Sequence, residues 1–188
     1  LTTIFLRADD GGDASFEEAL VIGGVTVILR PEDPSVRPTL RAPAGSEDPV
    51  FHVLNSQDDG ENPIVEQGVL NLVGLRIEGS EGLVARIEAT AVFAADGVEM
   101  VNNGGGIVLQ RGRAFLRNTI IADTPPPVVE ILERGSFGIV ASTIVENGPA
   151  PWFLCPTPED DGSNLEMTVR DSIIGNFDDE LTFEDLSV

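Results

Sequence analysis

The sequence predicts an all-β solenoid in which short strands stack coil upon coil, and three observations carry that reading. First, five related stretches follow one another: LNLVGLRIEGS from Leu70, FAADGVEMVNN from Phe93, AFLRNTIIAD from Ala114, GIVASTIVEN from Gly138 and MTVRDSIIGN from Met167. Each joins two apolar runs across a hinge, namely Gly74, Gly97, Asn118, Ser142 and Asp171, and ends in Gly, Asn or Asp. Second, another apolar segment precedes each pair, at 51–54, 83–85, 107–109, 128–131 and 152–154, and the steps from Leu83 to Ile107, Val129 and Phe153 are 24, 22 and 24 residues. Third, the 188 residues are 41% hydrophobic but only 5% aromatic, with no Tyr, which suits a narrow interior lined by medium-sized side chains. Units this short cannot bury an apolar face alone, so their repetition marks a solenoid. Three segments per repeat give three strands per coil, each pairing with its equivalents about 4.8 Å above and below. Insertions must then fall in loops, as QDDGENPIVEQG and CPTPEDDGSN do.

In chain order, TTIFLR at 2–7 alternates as a strand and ADDGGDA follows as a polar turn. Ser15, Phe16, Glu17 and Glu18 have the form of a capping box, in which the serine hydroxyl accepts the N3 amide and Glu18 reaches back. A short helix is therefore expected at 15–20, with Phe16, Ala19 and Leu20 covering the open end of the stack. VTVIL at 25–29 is a strand by β-branching and alternation, and PEDPSVRPTLRAP after it holds too much proline for a helix. The single domain divides into an N-terminal strand and cap at 1–24, coils at 25–176, and a tail or partial coil at 177–188.

DASFEEAL, GVTVILRPEDPSVRPTL, VFHVLN and VLNLVGLRIEGS, taken with GGGIVLQ, AFLRNTIIAD and STIVEN, resemble the coils of the pectin-lyase-like superfamily. They are similar also to repeat regions of bacterial surface proteins. The resemblance covers nearly the whole chain and implies a single-stranded right-handed parallel β-helix of about six coils, three strands each, with a short N-terminal capping helix. It also implies that a catalytic site, if there is one, lies outside the first strand of each coil. There lyases set acids that hold calcium beside a basic residue, and hydrolases set paired carboxylates.

On those first strands the outward positions are His52, Val84 or Arg86, Val108 or Gln110, Glu130, and Trp152 or Leu154, a row without clustered carboxylates beside an Arg. His52, the one histidine, reads as a structural residue of an apolar strand rather than a general base. One His and the lone Cys155 cannot build an imidazole or thiolate metal site, nor can one Cys close an internal disulfide. Asn103-Gly104-Gly105-Gly106 has no following Lys or helix, so it reads as a tight turn and not a phosphate loop.

The formal charge of −21, from 32 acids against 11 bases that are all Arg, excludes nucleic acid and anionic membranes as partners. No apolar run reaches the roughly 20 residues of a membrane span. Five bases, Arg86, Arg111, Arg113, Arg117 and Arg134, concentrate in the middle coils, either as an electropositive island or in pairs with acids of adjacent coils. Arg86, Gln110, Arg111, Arg113, Glu130 and Trp152 are accordingly the candidate ligand-binding residues. Calcium is the one candidate cofactor, at Asp58, Asp59 and Glu61 in an acidic Gly-containing loop. Adjacent apolar pairs at 115–116, 120–121, 139–140, 144–145 and 173–174 must send one member outward, since strand side chains alternate. Phe115, Ile120, Ile139, Ile144 and Ile173 are the candidate docking stripe, unless a loop or the apolar tail residues Leu181 and Phe183 cover it.

The function expected is a non-catalytic extracellular or cell-surface module binding a polysaccharide or a protein. The start at Leu1, without a basic leader, reads as a mature chain or a domain of a larger polypeptide. A polysaccharide lyase or glycoside hydrolase with a divergent site, and a structural spacer, are the alternatives. The enzyme reading requires middle-coil arginines and at least two carboxylates to converge beside the first strands.

Overall fold

The computed structural model describes residues 1–7, 15–17, 19–56, 66–132, 135–145, 147–148, 153–154 and 165–175. Within them the regular secondary structure is all strand, arranged in three parallel sheets. Sheet A holds β1 (Thr2–Leu6), β4 (Thr26–Pro31), β7 (Val69–Val73), β10 (Val92–Asp96), β13 (Arg113–Arg117), β16 (Gly135–Val140) and β19 (Leu165–Arg170). Sheet B holds β2 (Ser15–Glu17), β5 (Thr39–Arg41), β8 (Arg76–Glu78), β11 (Glu99–Val101), β14 (Ile120–Ala122), β17 (Thr143–Val145) and β20 (Ile173–Gly175). Sheet C holds β3 (Leu20–Gly23), β6 (Phe51–Leu54), β9 (Leu83–Glu88), β12 (Gly105–Gln110), β15 (Val129–Ile131) and β18 (Phe153–Leu154). The chain visits A, B and C in strict rotation, as in a parallel β-helix, and the core runs between the sheets.

The expected capping helix at 15–20 is replaced by strands. Ser15, Phe16 and Glu17 pair with Thr39, Leu40 and Arg41, and Leu20 begins β3 against Phe51. A six-residue helix would make few backbone bonds after a costly nucleation, whereas pairing to a strand already in place satisfies the same groups.

Register follows the apolar pattern. Val27, Leu70, Phe93, Ala114 and Phe137 form one inward column of sheet A, in which a small Ala separates two rings. Leu40, Ile77, Met100, Ile121 and Ile144 line sheet B. Phe51 meets Phe93 across the interior with ring centroids 6.3 Å apart, and Phe137 meets Phe153 at 6.0 Å. One expected step is corrected: Ile107 pairs with Ala85, and Leu83 pairs with Gly105. The Leu83 side chain fills the space beside Gly105, where a Cβ would lie 2.8 Å from its Cδ2.

From β7 onward each A-to-B corner turns on a single left-handed residue: Gly74, Gly97, Asn118, Ala141 and Asp171 have φ between 50° and 65°. Four of these are the expected hinges, and the fifth is Ala141 rather than Ser142. Val140 pairs with Arg117, which sets Ala141 level with Asn118 and frees Ser142 for a different task. The Ser142 hydroxyl accepts the buried Thr119 N–H at 3.0 Å, and Ser172 Oγ accepts the Ser142 N–H at 3.2 Å. At the B-to-C corners Asn103 Oδ1 accepts the Ser80 N–H, and Asn147 Oδ1 accepts the Thr124 N–H. Both asparagines also donate one coil back, to the Ile77 and Ile121 carbonyls. These ladders satisfy corner amides that no strand can reach.

The triple glycine is not a turn held by left-handed backbone. Gly105 and Gly106 open β12, and the glycines admit neighbouring backbone: a Cβ on Gly104 would lie 1.9 Å from the Glu81 carbonyl oxygen, and one on Gly106 1.8 Å from that of Val128.

Candidate functional site

The outer face of sheet C, where the resemblance implies catalysis, carries Val21, His52, Arg86, Val108, Glu130 and Leu154 in one row. Arg86 is thus the outward residue, and Val84 is buried. Gln110 stands in the adjacent row, opposite Glu88. Glu88 also faces outward here, with its Oε1 3.1 Å from His52 Nε2 and 3.9 Å from an Arg86 terminal nitrogen. The His52 contact is off the line of a hydrogen bond, and its Nε2 has no other partner among the described residues. Glu130 is separated from Arg86 by the buried Val108.

Sheet A presents a different surface. Its outward side chains line an open groove of about 1140 Å³ that runs from Ile28 to Arg170. Alternation in RAFLR explains the centre: Ala114 and Leu116 point inward, so Arg113, Phe115 and Arg117 share the outer face. The middle row reads Ala94, Phe115, Gly138, Thr168, with the half-exposed Phe115 ring between two small residues. Among the described residues, Arg111, Arg113, Arg117 and Arg170 line the groove together with two acids, Asp96 and Glu166. On a chain of net charge −21 this is a concentration of positive charge.

Asp96 accepts the Arg117 guanidinium on Oδ2 and Asn118 Nδ2 on Oδ1 at 3.0 Å. The Arg117 hydrogen bond holds the Asp96 carboxyl below the ordinary aspartate value, against burial and with help from Asn118. Asp96 in turn raises Arg117. An acid held ionised and an arginine held charged are poorly suited to proton transfer and well suited to orienting a polar ligand.

The six candidate ligand-binding residues therefore divide. Arg86, Gln110 and Glu130 lie on sheet C; Arg111 and Arg113 lie in the sheet A groove; Trp152 lies outside the described residues. Of the middle-coil arginines, Arg117 joins the groove and Arg134 also lies outside the described residues. Arg170 escaped the sequence reading, although the pattern VR at 169–170 repeats LR at 116–117 one face-step before a hinge.

The expected docking stripe divides as well. Phe115 belongs to sheet A, while Ile120 and Ile173 face outward on sheet B. Ile139 and Ile144 are corrected: both are fully buried. Register decides this, because Ile139 is level with Leu116 and Ile144 with Ile121, which makes Val140 and Val145 the outward members. The calcium candidates Asp58, Asp59 and Glu61 lie outside the described residues, and among the described residues no three His, Cys, Asp or Glu cluster as metal ligands. No described helix is long and apolar enough to cross a membrane.

No protein-family model matches the chain, and no significant match was found to a curated protein or a solved structure.

Proposed function

We propose that the chain is a non-catalytic glycan-binding module, built as a right-handed parallel β-helix of about six coils in the manner of the pectin-lyase-like superfamily. The observation that carries the reading is the sheet A groove, with the Phe115 ring at its centre and Arg113, Arg117 and Arg170 around it. A ring between small neighbours offers a flat apolar platform, and the Arg117 guanidinium, held by Asp96, supplies directional donors beside it, which is how shallow polar ligands are held. The similarity to repeat regions of bacterial surface proteins supports an extracellular or cell-surface setting within a larger polypeptide. The enzyme alternative asked for arginines and carboxylates beside the first strands; the convergence of Asp96 and Glu166 with arginines occurs on the second strands instead.

Titration calorimetry against neutral and acidic oligosaccharides tests the proposal. Binding is expected to fall at least tenfold in Phe115→Ala and to persist in Arg86→Gln, with no new reducing ends or unsaturated products. Binding that is indifferent to Phe115, or steady product formation, would refute it.

A further inference from the structure

Most described arginines of this acidic chain reach an acid: Arg7 reaches Glu32, Arg76 both Glu78 and Glu99, and Arg117 Asp96. Arg113 and Arg170 reach none among the described residues, although the chain holds 32 acids, and both line the sheet A groove. Register sets them at opposite corners of it. Arg113 shares the first outward row with Ser136 and Glu166, while Arg170 shares the third with Arg117 and Val140. Four residues along the strand and two strands across, at about 3.3 Å and about 4.8 Å a step, put their backbones roughly 16 Å apart. The diagonal between them crosses the middle row, where Phe115, Gly138 and Thr168 stand side by side.

We propose that the groove takes a mixed glycan laid obliquely from Arg113 to Arg170, with an anionic group at each end and a neutral sugar over Phe115. The inference rests on the glycan-binding reading of this groove and specifies its ligand. An exposed guanidinium with no counter-ion offers a free fork of donors, which grips a carboxylate or a sulfate through paired hydrogen bonds. The centre of the groove asks for the opposite chemistry. The face of an aromatic ring is electronegative, so it repels an anion stacked on it and accepts the C–H face of an uncharged sugar. Asp96, on the strand next to Phe115, adds a negative charge on that side. A glycan with an acid on every sugar would lay charge over the ring, and one without acids would leave both arginines unused. Acidic sugars separated by neutral ones satisfy the ring and the arginines together.

Titration calorimetry at low ionic strength with four octasaccharides tests this. They are chondroitin, with a carboxylate on every second sugar; carboxyl-reduced chondroitin sulfate, with a sulfate on every second sugar; carboxyl-reduced chondroitin, uncharged; and octagalacturonate, with a carboxylate on every sugar. At least one of the two alternating ligands is expected to bind tenfold or more tighter than both the uncharged one and octagalacturonate, and which of them does so identifies the anion as carboxylate or sulfate. Arg113→Gln and Arg170→Gln should each weaken that ligand at least threefold, and Arg86→Gln should not. Octagalacturonate binding as tightly as the alternating ligands would overturn the proposal. So would equal binding of the uncharged octasaccharide; if that binding is lost in Phe115→Ala, the glycan reading stands while this one falls. Absence of binding by all four would overturn both.

Discussion

Phe115 and Gly138 are in register on adjacent strands, and the phenyl ring lies over the glycine so closely that a Cβ there would come within 3.0 Å of Cδ1. The absent side chain is therefore what lets the ring lie where it does. Gly138→Val is expected to lift the ring out of the groove, and because Gly138 is buried beneath that ring the added side chain should also cost about 1–3 kcal/mol of stability. Its oligosaccharide affinity should fall toward that of Phe115→Ala. Retained affinity, measured by calorimetry beside thermal unfolding, would separate the ring's position from binding.

Asp96 gives the fold an acid-sensitive contact. Its folded carboxyl binds a proton less tightly than an ordinary aspartate, chiefly because of Arg117. The contact thus stabilises the fold at pH above the ordinary aspartate range and is lost as pH falls through the lowered folded value. Since both side chains are well solvated, the contribution is small. Denaturant unfolding of wild type and Asp96→Asn should differ by a constant amount near neutrality and converge in acid; curves that stay parallel would contradict this.

Ser142 is 4% exposed, and its hydroxyl is the acceptor for the Thr119 amide. Ser142→Ala strands that amide in the interior and should cost about 1–3 kcal/mol, the usual penalty of a buried unpaired donor. Ser142→Thr should recover most of it, because Thr119 already shows a threonine at the equivalent corner. Equilibrium unfolding of the two variants distinguishes a lost acceptor from lost packing.

Gly106 has no room for a methyl group, since the clash would be with the backbone oxygen of Val128 rather than a movable side chain. Gly106→Ala should destabilise by about 3 kcal/mol or more, whereas Gly45→Ala, with open space around it, is penalised only for its positive φ. Thermal denaturation of the pair checks the ranking.

Much of this arrangement was legible in the sequence, for reasons that can be traced. Hinges such as Gly74 and Asn118 announce themselves because few residue types tolerate left-handed backbone. Ala141 does not, since nothing in an alanine signals that conformation, and the neighbouring Ser142 looked the better candidate. Ser15 to Glu17 carried a genuine helix-start pattern, which strand pairing with Thr39 to Arg41 overrode. In the candidate site, Arg113 and Phe115 were singled out, but which of Phe115 and Leu116 faced outward needed register, and register depends on strands more than twenty residues away. Ile139 and Ile144 failed for the same reason. Arg86 and Arg113 looked like one group in the sequence, and only the corner at Arg111, with φ of 63°, sends them to different faces.

The corner ladders give the stack a direction in time. Thr119 waits for Ser142, Ser142 for Ser172, Ser80 for Asn103, and Thr124 for Asn147; in every case the acceptor is supplied by the segment made later. A chain synthesised from its N-terminus therefore completes each layer only when the next one arrives, and the newest layer is always the one with an unanswered amide.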